Sequence, residues 1–68
     1  GLLQPLWELA SEVLNEISYQ TMRLHYAEDL SIREIAQIIG KTETGVKVLL
    51  FRARQKLQKK ANIRGISL

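Results

Sequence analysis

The sequence predicts an all-α fold, a small domain of three to four helices, from two observations. Apolar residues recur three and four apart in four successive stretches, the spacing that gathers them on one helix face. Alternating β-branched runs, which mark strands, are missing, and the one proline stands near the start at Pro5. The 68 residues suffice for one domain, 1–68, and a chain of that size buries roughly 60% of its unfolded surface on folding.

The first helix is expected over about 5–14. Pro5 suits a first turn because it has no N–H to leave unpaired. Leu6, Leu9, Ala10, Val13, Leu14 and Ile17 follow as a core stripe, with Glu8, Glu12 and Glu16 on the other side. Trp7 falls off the centre of that stripe, either closing the core edge or marking a contact surface. A second helix is expected over about 16–28, with Asn15 or Ser18 as its N-cap and Thr21, Met22, His25 and Tyr26 at helical spacing. His25 is expected at the surface or the core edge.

The third helix, about 31–39, has the clearest start signal. Ser31 is followed three residues later by Glu34, a capping box in which each side chain satisfies the other residue's free backbone N–H. Ile32, Ile35, Ala36 and Ile39 form its apolar face, and Gly40 closes it, since glycine tolerates the left-handed conformation. The fourth helix is expected over about 43–60 with Thr42 as its cap. Val46, Leu50, Ala53 and Leu57 share its buried face, and Thr44, Lys47, Val48, Phe51, Arg52, Gln55 and Lys59 lie opposite. The tail 61–68 contains Gly65, shows no helical period and is left unassigned.

Charge divides the chain. Gly1 to Gly40 carries two cations and six acids, a net −4, whereas Lys41 to Leu68 carries eight cations and one acid, a net +7. A basic half of this kind fits a polyanionic partner, although a solvated cationic helix would look the same. Cysteine is absent and there is one histidine, so no metal site or cofactor is expected. No acid-base pair or nucleophile can be assembled, so an enzyme is not expected. No apolar run approaches the roughly 20 residues that span a bilayer. No membrane partner is expected, and the default setting is cytoplasmic.

A short capped helix, a tight turn at Gly40-Lys41-Thr42 and a longer basic helix make a helix-turn-helix. An α-helix with its side chains is about as wide as the B-DNA major groove, and the shorter helix braces the longer one across the groove mouth. Ala36 is small enough for a close crossing. Val48 and Phe51 stand among cations on the outer face, where three readings are open: contact with thymine methyls, isolated surface apolars, or contact with a protein partner.

These residues resemble a family. Leu30-Ser31-Ile32-Arg33-Glu34-Ile35-Ala36-Gln37-Ile38-Ile39-Gly40 is similar to the LS-x-x-EIA-x-x-LG segment of bacterial sigma factors. Val46-Lys47 and Leu50-Phe51-Arg52-Ala53-Arg54-Gln55-Lys56-Leu57 are similar to the family's VK and L-x-RAR-x-x-L. Leu14-Asn15-Glu16 stands where the family commonly has Leu-Pro-Glu, and Tyr26-Ala27-Glu28-Asp29 resembles its Y-x-E-G. The likeness runs from Leu14 to Leu57 and is nearest to region four, the C-terminal DNA-binding region, of the extracytoplasmic-function group.

The resemblance implies a four-helix domain that recognises the minus-35 promoter element, docks on the flap of the RNA polymerase β subunit, and is often masked by an anti-sigma factor. Carried over by position, Lys47, Val48, Phe51 and Arg52 would face double-stranded promoter DNA, with Arg33 near its backbone. The full DNA-facing set expected is Arg33, Lys41, Thr42, Thr44, Lys47, Val48, Phe51, Arg52, Gln55 and Lys59.

Two departures stand out. The chain has Thr44-Gly45 where the family has Gly-Thr, and Gly45 in a first turn costs about 1 kcal/mol against alanine. It has Val48-Leu49 where the family has Ser-Arg. That exchange removes a polar contact and a cation, and predicts weaker promoter contact or a different sequence read. Two other functions fit the residues: a helix-turn-helix module of another regulator, and a sigma-like domain used mainly for protein–protein interaction.

Overall fold

The computed structural model describes residues 4–65, and among them there are helices and turns but no strand. The elements in order are α1 (Gln4–Val13), α2 (Glu16–Met22), a π-helical turn (Arg23–Ala27), α3 (Ile32–Ile39) and α4 (Glu43–Ile63). The second helix expected over 16–28 is thus an α-helix that widens into a π-turn.

Asn15 is the cap of α2, its side chain accepting from the Ser18 N–H at 3.0 Å. The π-turn closes with the Glu28 N–H donating to the Arg23 carbonyl at 3.0 Å, and the Leu30 N–H then reaches back to the Leu24 carbonyl. Asp29 between them adopts a left-handed φ of 62°. This is the position at which the Y-x-E-G segment has glycine, and the backbone here shows why. His25 Nδ1, 3.0 Å from the Leu30 carbonyl oxygen, ties the same connection from the side.

The capping box of α3 is formed in full: Ser31 N–H donates to Glu34 Oε1, and Glu34 N–H to Ser31 Oγ. Hydrogen bonds from Ser31, backbone first, hold the Glu34 carboxyl below its ordinary pKa. Gly40 ends the helix at φ 70°. Thr42 caps α4 by accepting from the Gly45 N–H at 3.0 Å.

The core is built from one stripe of each helix. Leu9 and Ala10 of α1, Leu14, Met22 of α2, Ile35 and Ala36 of α3, and Val46, Leu50, Ala53, Leu57 and Ala61 of α4 are buried together. Leu6, Val13, Ile32 and Ile39 of the predicted stripes pack partly buried around them. Thr21 is fully buried, and its hydroxyl donates to the Ile17 carbonyl at 2.7 Å, which satisfies the one polar group in the core. Trp7 closes the core edge, with Tyr19 edge-on to its ring at 6.1 Å and the Arg23 guanidinium 4.8 Å from its centre.

The expectation for the tail needs correcting. Helix α4 continues to Ile63, because Ala61 falls four residues after Leu57 and is fully buried, so the apolar stripe has one more step. Arg64 then bridges to Glu12 at 2.8 Å and fastens the end of α4 to α1. The last three residues of the tail lie outside those described. Helix α4 is about 31 Å long at 1.5 Å per residue and nearly fills the 35 Å long dimension of the molecule.

Candidate nucleic-acid interface

The turn Gly40–Thr42 sets how α4 leaves α3. Gly40 supplies the left-handed step, the Lys41 N–H is paired back to the Ala36 carbonyl at 3.0 Å, and Thr42 starts the next helix. Its hydroxyl oxygen is committed to the cap, which leaves the first N–H groups of α4 free at an electropositive end. Gly45 is held close to that cap: a Cβ there would stand 3.1 Å from Thr42 Oγ1. The gain expected from alanine at this position is therefore offset by crowding of the capping hydroxyl.

Beyond the turn, the buried stripe of α4 dictates what is left outside. At about 100° per residue, Val48, Gln55 and Lys59 point away from the core. Thr44, Lys47, Phe51 and Arg52 flank them, and all seven are exposed. Val48 is 39% exposed and Phe51 55%, so neither belongs to the core. Lys41 and Thr42 are exposed at the turn. Arg33 is exposed on α3 and forms no hydrogen bond or ion pair with the α4 set among the described residues. Of the ten residues expected to face DNA, nine are thus brought together along α4 and its entry turn, and Arg33 stands on the preceding helix.

Further basic residues share this helix: Arg54, Lys56 and Lys60 are also exposed. Arg52, Gln55, Lys56, Gln58, Lys59 and Asn62 line a shallow groove along its distal half. Lys56 and Arg54 flank the wheel positions used above, and that periodicity would have found them. The Arg54 side chain is engaged by Tyr26 across the fold, a contact between residues far apart in sequence that no local pattern announces.

A family model described as Sigma-70, region 4 matches residues 8–57. The chain belongs to the sigma-70 region 4 family. The match begins inside α1 and ends in α4 at Leu57, so it takes in the helix-turn-helix and α4 as far as Leu57. Comparison with curated proteins and with solved structures finds no match. Region 4 domains are DNA-binding, promoter-recognition modules of transcription initiation rather than enzymes, and their partners in general are promoter DNA and RNA polymerase. Among the described residues no group of three His, Asp or Glu side chains is placed to hold a metal ion, and no helix is long and apolar enough to cross a membrane.

Proposed function

We propose that this sigma-70 region 4 domain reads the minus-35 element of a bacterial promoter with the outer face of α4 and docks on the flap of the RNA polymerase β subunit. The observation that carries the reading is the two-sidedness of α4. Val46, Leu50, Ala53, Leu57 and Ala61 face inward, and Lys47, Arg52, Gln55 and Lys59 are left free outside. Thr44, Lys47, Val48, Phe51, Arg52 and Gln55 approach base edges in the major groove, with Val48 and Phe51 against thymine methyls. Arg33, Lys41 and Lys59 approach the backbone, where the counterions they displace supply affinity, and Thr42 approaches it at the N-terminus of α4.

The docking half is supported by a shallow groove between α3 on one side and α2 with the π-turn on the other. Ile17, Leu24, Ile38 and Ile39 line it, and Ile38 is 60% exposed. A groove of this kind accepts the apolar face of a partner helix, and an anti-sigma factor would silence the domain by covering the same surface. The setting for this activity is the bacterial cytoplasm, at the nucleoid. Within the family, the likeness of Leu14 to Leu57 to the extracytoplasmic-function group supports placing the chain there.

The test is a promoter-fragment gel shift run beside a pull-down with core polymerase. Arg52→Ala is expected to weaken duplex binding by about 1–3 kcal/mol, and unchanged affinity would remove Arg52 from the interface. Core polymerase is expected to retain the chain, and failure to retain it would remove the docking half. The exposure of Val48 and Phe51 favours one other reading, a domain used mainly to bind protein. Binding that is indifferent to salt would support that reading, because phosphate contacts weaken steeply with salt.

A further inference from the structure

The flank of α4 that faces the π-turn carries a contact that neither the core nor the reading face requires. Lys47 and Arg54 stand seven residues, two helical turns, apart on that flank. Arg52 and Lys56 occupy the opposite flank, and the ridge of Val48, Gln55 and Lys59 runs between. Arg54 Nη1 donates to the Tyr26 hydroxyl oxygen at 2.7 Å, joining α4 to the π-turn. The Tyr26 ring is itself held, with the His25 ring edge-on to it at 4.8 Å and His25 tied to the Leu30 carbonyl. Tyr26 is 49% exposed and Arg54 is exposed.

The donor count of this pair gives it a chemistry. The phenol oxygen accepts from arginine, so its own O–H remains to be donated, and the guanidinium keeps four further N–H groups. The ion pair formed among the described residues is Arg64 with Glu12, and it leaves the Arg54 charge uncompensated. Two donors side by side, one of them a planar cation, suit a ligand with several acceptor oxygens and a negative charge, which is the chemistry of a phosphodiester. An α-helix lying in the major groove has a phosphate strand along each flank, and this pair lies on one of those flanks.

We infer that Tyr26 and Arg54 form a clamp for one backbone phosphate of the duplex, with Tyr26 fixing the guanidinium and both side chains donating to the same phosphate. The inference rests on the reading of α4 as the DNA-facing helix. A phosphate contact is independent of sequence, so a random-sequence duplex suffices to test it.

Affinity for that duplex is measured by fluorescence anisotropy over a range of salt concentrations, for the unsubstituted chain, Tyr26→Phe, Arg54→Gln and the double variant, with thermal melting of each. Arg54→Gln is expected to reduce the slope of log affinity against log salt by about one. Tyr26→Phe, which keeps the ring, is expected to weaken binding about 2- to 10-fold. The double variant is expected to bind much as Arg54→Gln does, because both side chains act on one phosphate. An unchanged salt slope in Arg54→Gln overturns the clamp, as does a Tyr26→Phe effect that persists undiminished in the double variant. Lowered melting temperatures with unchanged duplex affinity also overturn it and leave a purely structural tie. If the unsubstituted chain binds no duplex, the DNA-facing reading of α4 falls together with the clamp. If it binds and the variants bind equally well, the clamp alone falls.

Discussion

Asp29 shows how a single backbone angle is written into a sequence. Its φ of 62° costs a residue with a Cβ about 1–2 kcal/mol, less for Asp and Asn, whose short polar side chains bond locally. Asp29→Ala is therefore expected to lower stability by about 1 kcal/mol and Asp29→Gly to leave it unchanged or raise it, as read by thermal or urea melting. The opposite order would show that the side chain, not the angle, matters there. Val48 is a second residue whose environment decides its role. At 39% exposure it lies outside the core, so Val48→Ser is expected to change stability by no more than about 0.5 kcal/mol. On the reading proposed above, the new hydroxyl offers a polar contact in place of the Val48 contact with a thymine methyl, and it is expected to tighten duplex binding in a gel shift. A large fall in melting temperature would place Val48 in the core instead.

At the scale of elements, the start and stop signals were the most legible part of the sequence. Ser31 with Glu34, Gly40 and Thr42 act locally, and each does in the structure what its chemistry requires. The burial of α4 was legible for the same reason, since a spacing of four, three and four fixes a face whatever packs against it. Leu50 is 2% exposed, so Leu50→Ala is expected to cost about 2–5 kcal/mol in a denaturation curve. That is a large share of the stability of a domain this small, and a neutral result would mean that α4 is rotated. One feature could not be read locally, and one local signal was missed. The π-turn at Arg23–Ala27 keeps the same residue types at nearly the same spacing as an α-helix, and its hydrogen bonds distinguish it only once the chain is folded. The last turn of α4 was left unassigned because the tail as a whole shows no helical period, although Ala61 alone is in phase with Leu57.

For the molecule as a whole, the uneven charge of the sequence becomes a spatial fact. The cations of the basic half stand mostly on the exposed side of one helix, α4, and Arg64 to Glu12 is the ion pair that joins the two halves among the described residues. The exposed basic face of α4 was legible because it is the complement of a periodic core. The pairing of Tyr26 with Arg54 was not, because it depends on how the π-turn meets α4. The sharpest test of this arrangement is an NMR titration of the isotope-labelled chain with a promoter duplex, which detects even weak binding residue by residue. Amide shifts are expected to concentrate between Lys41 and Lys59 and to fade as salt is raised. Shifts confined to α1 and α2, with Lys47 and Arg52 unmoved, would contradict the assignment of α4 as the DNA-facing helix.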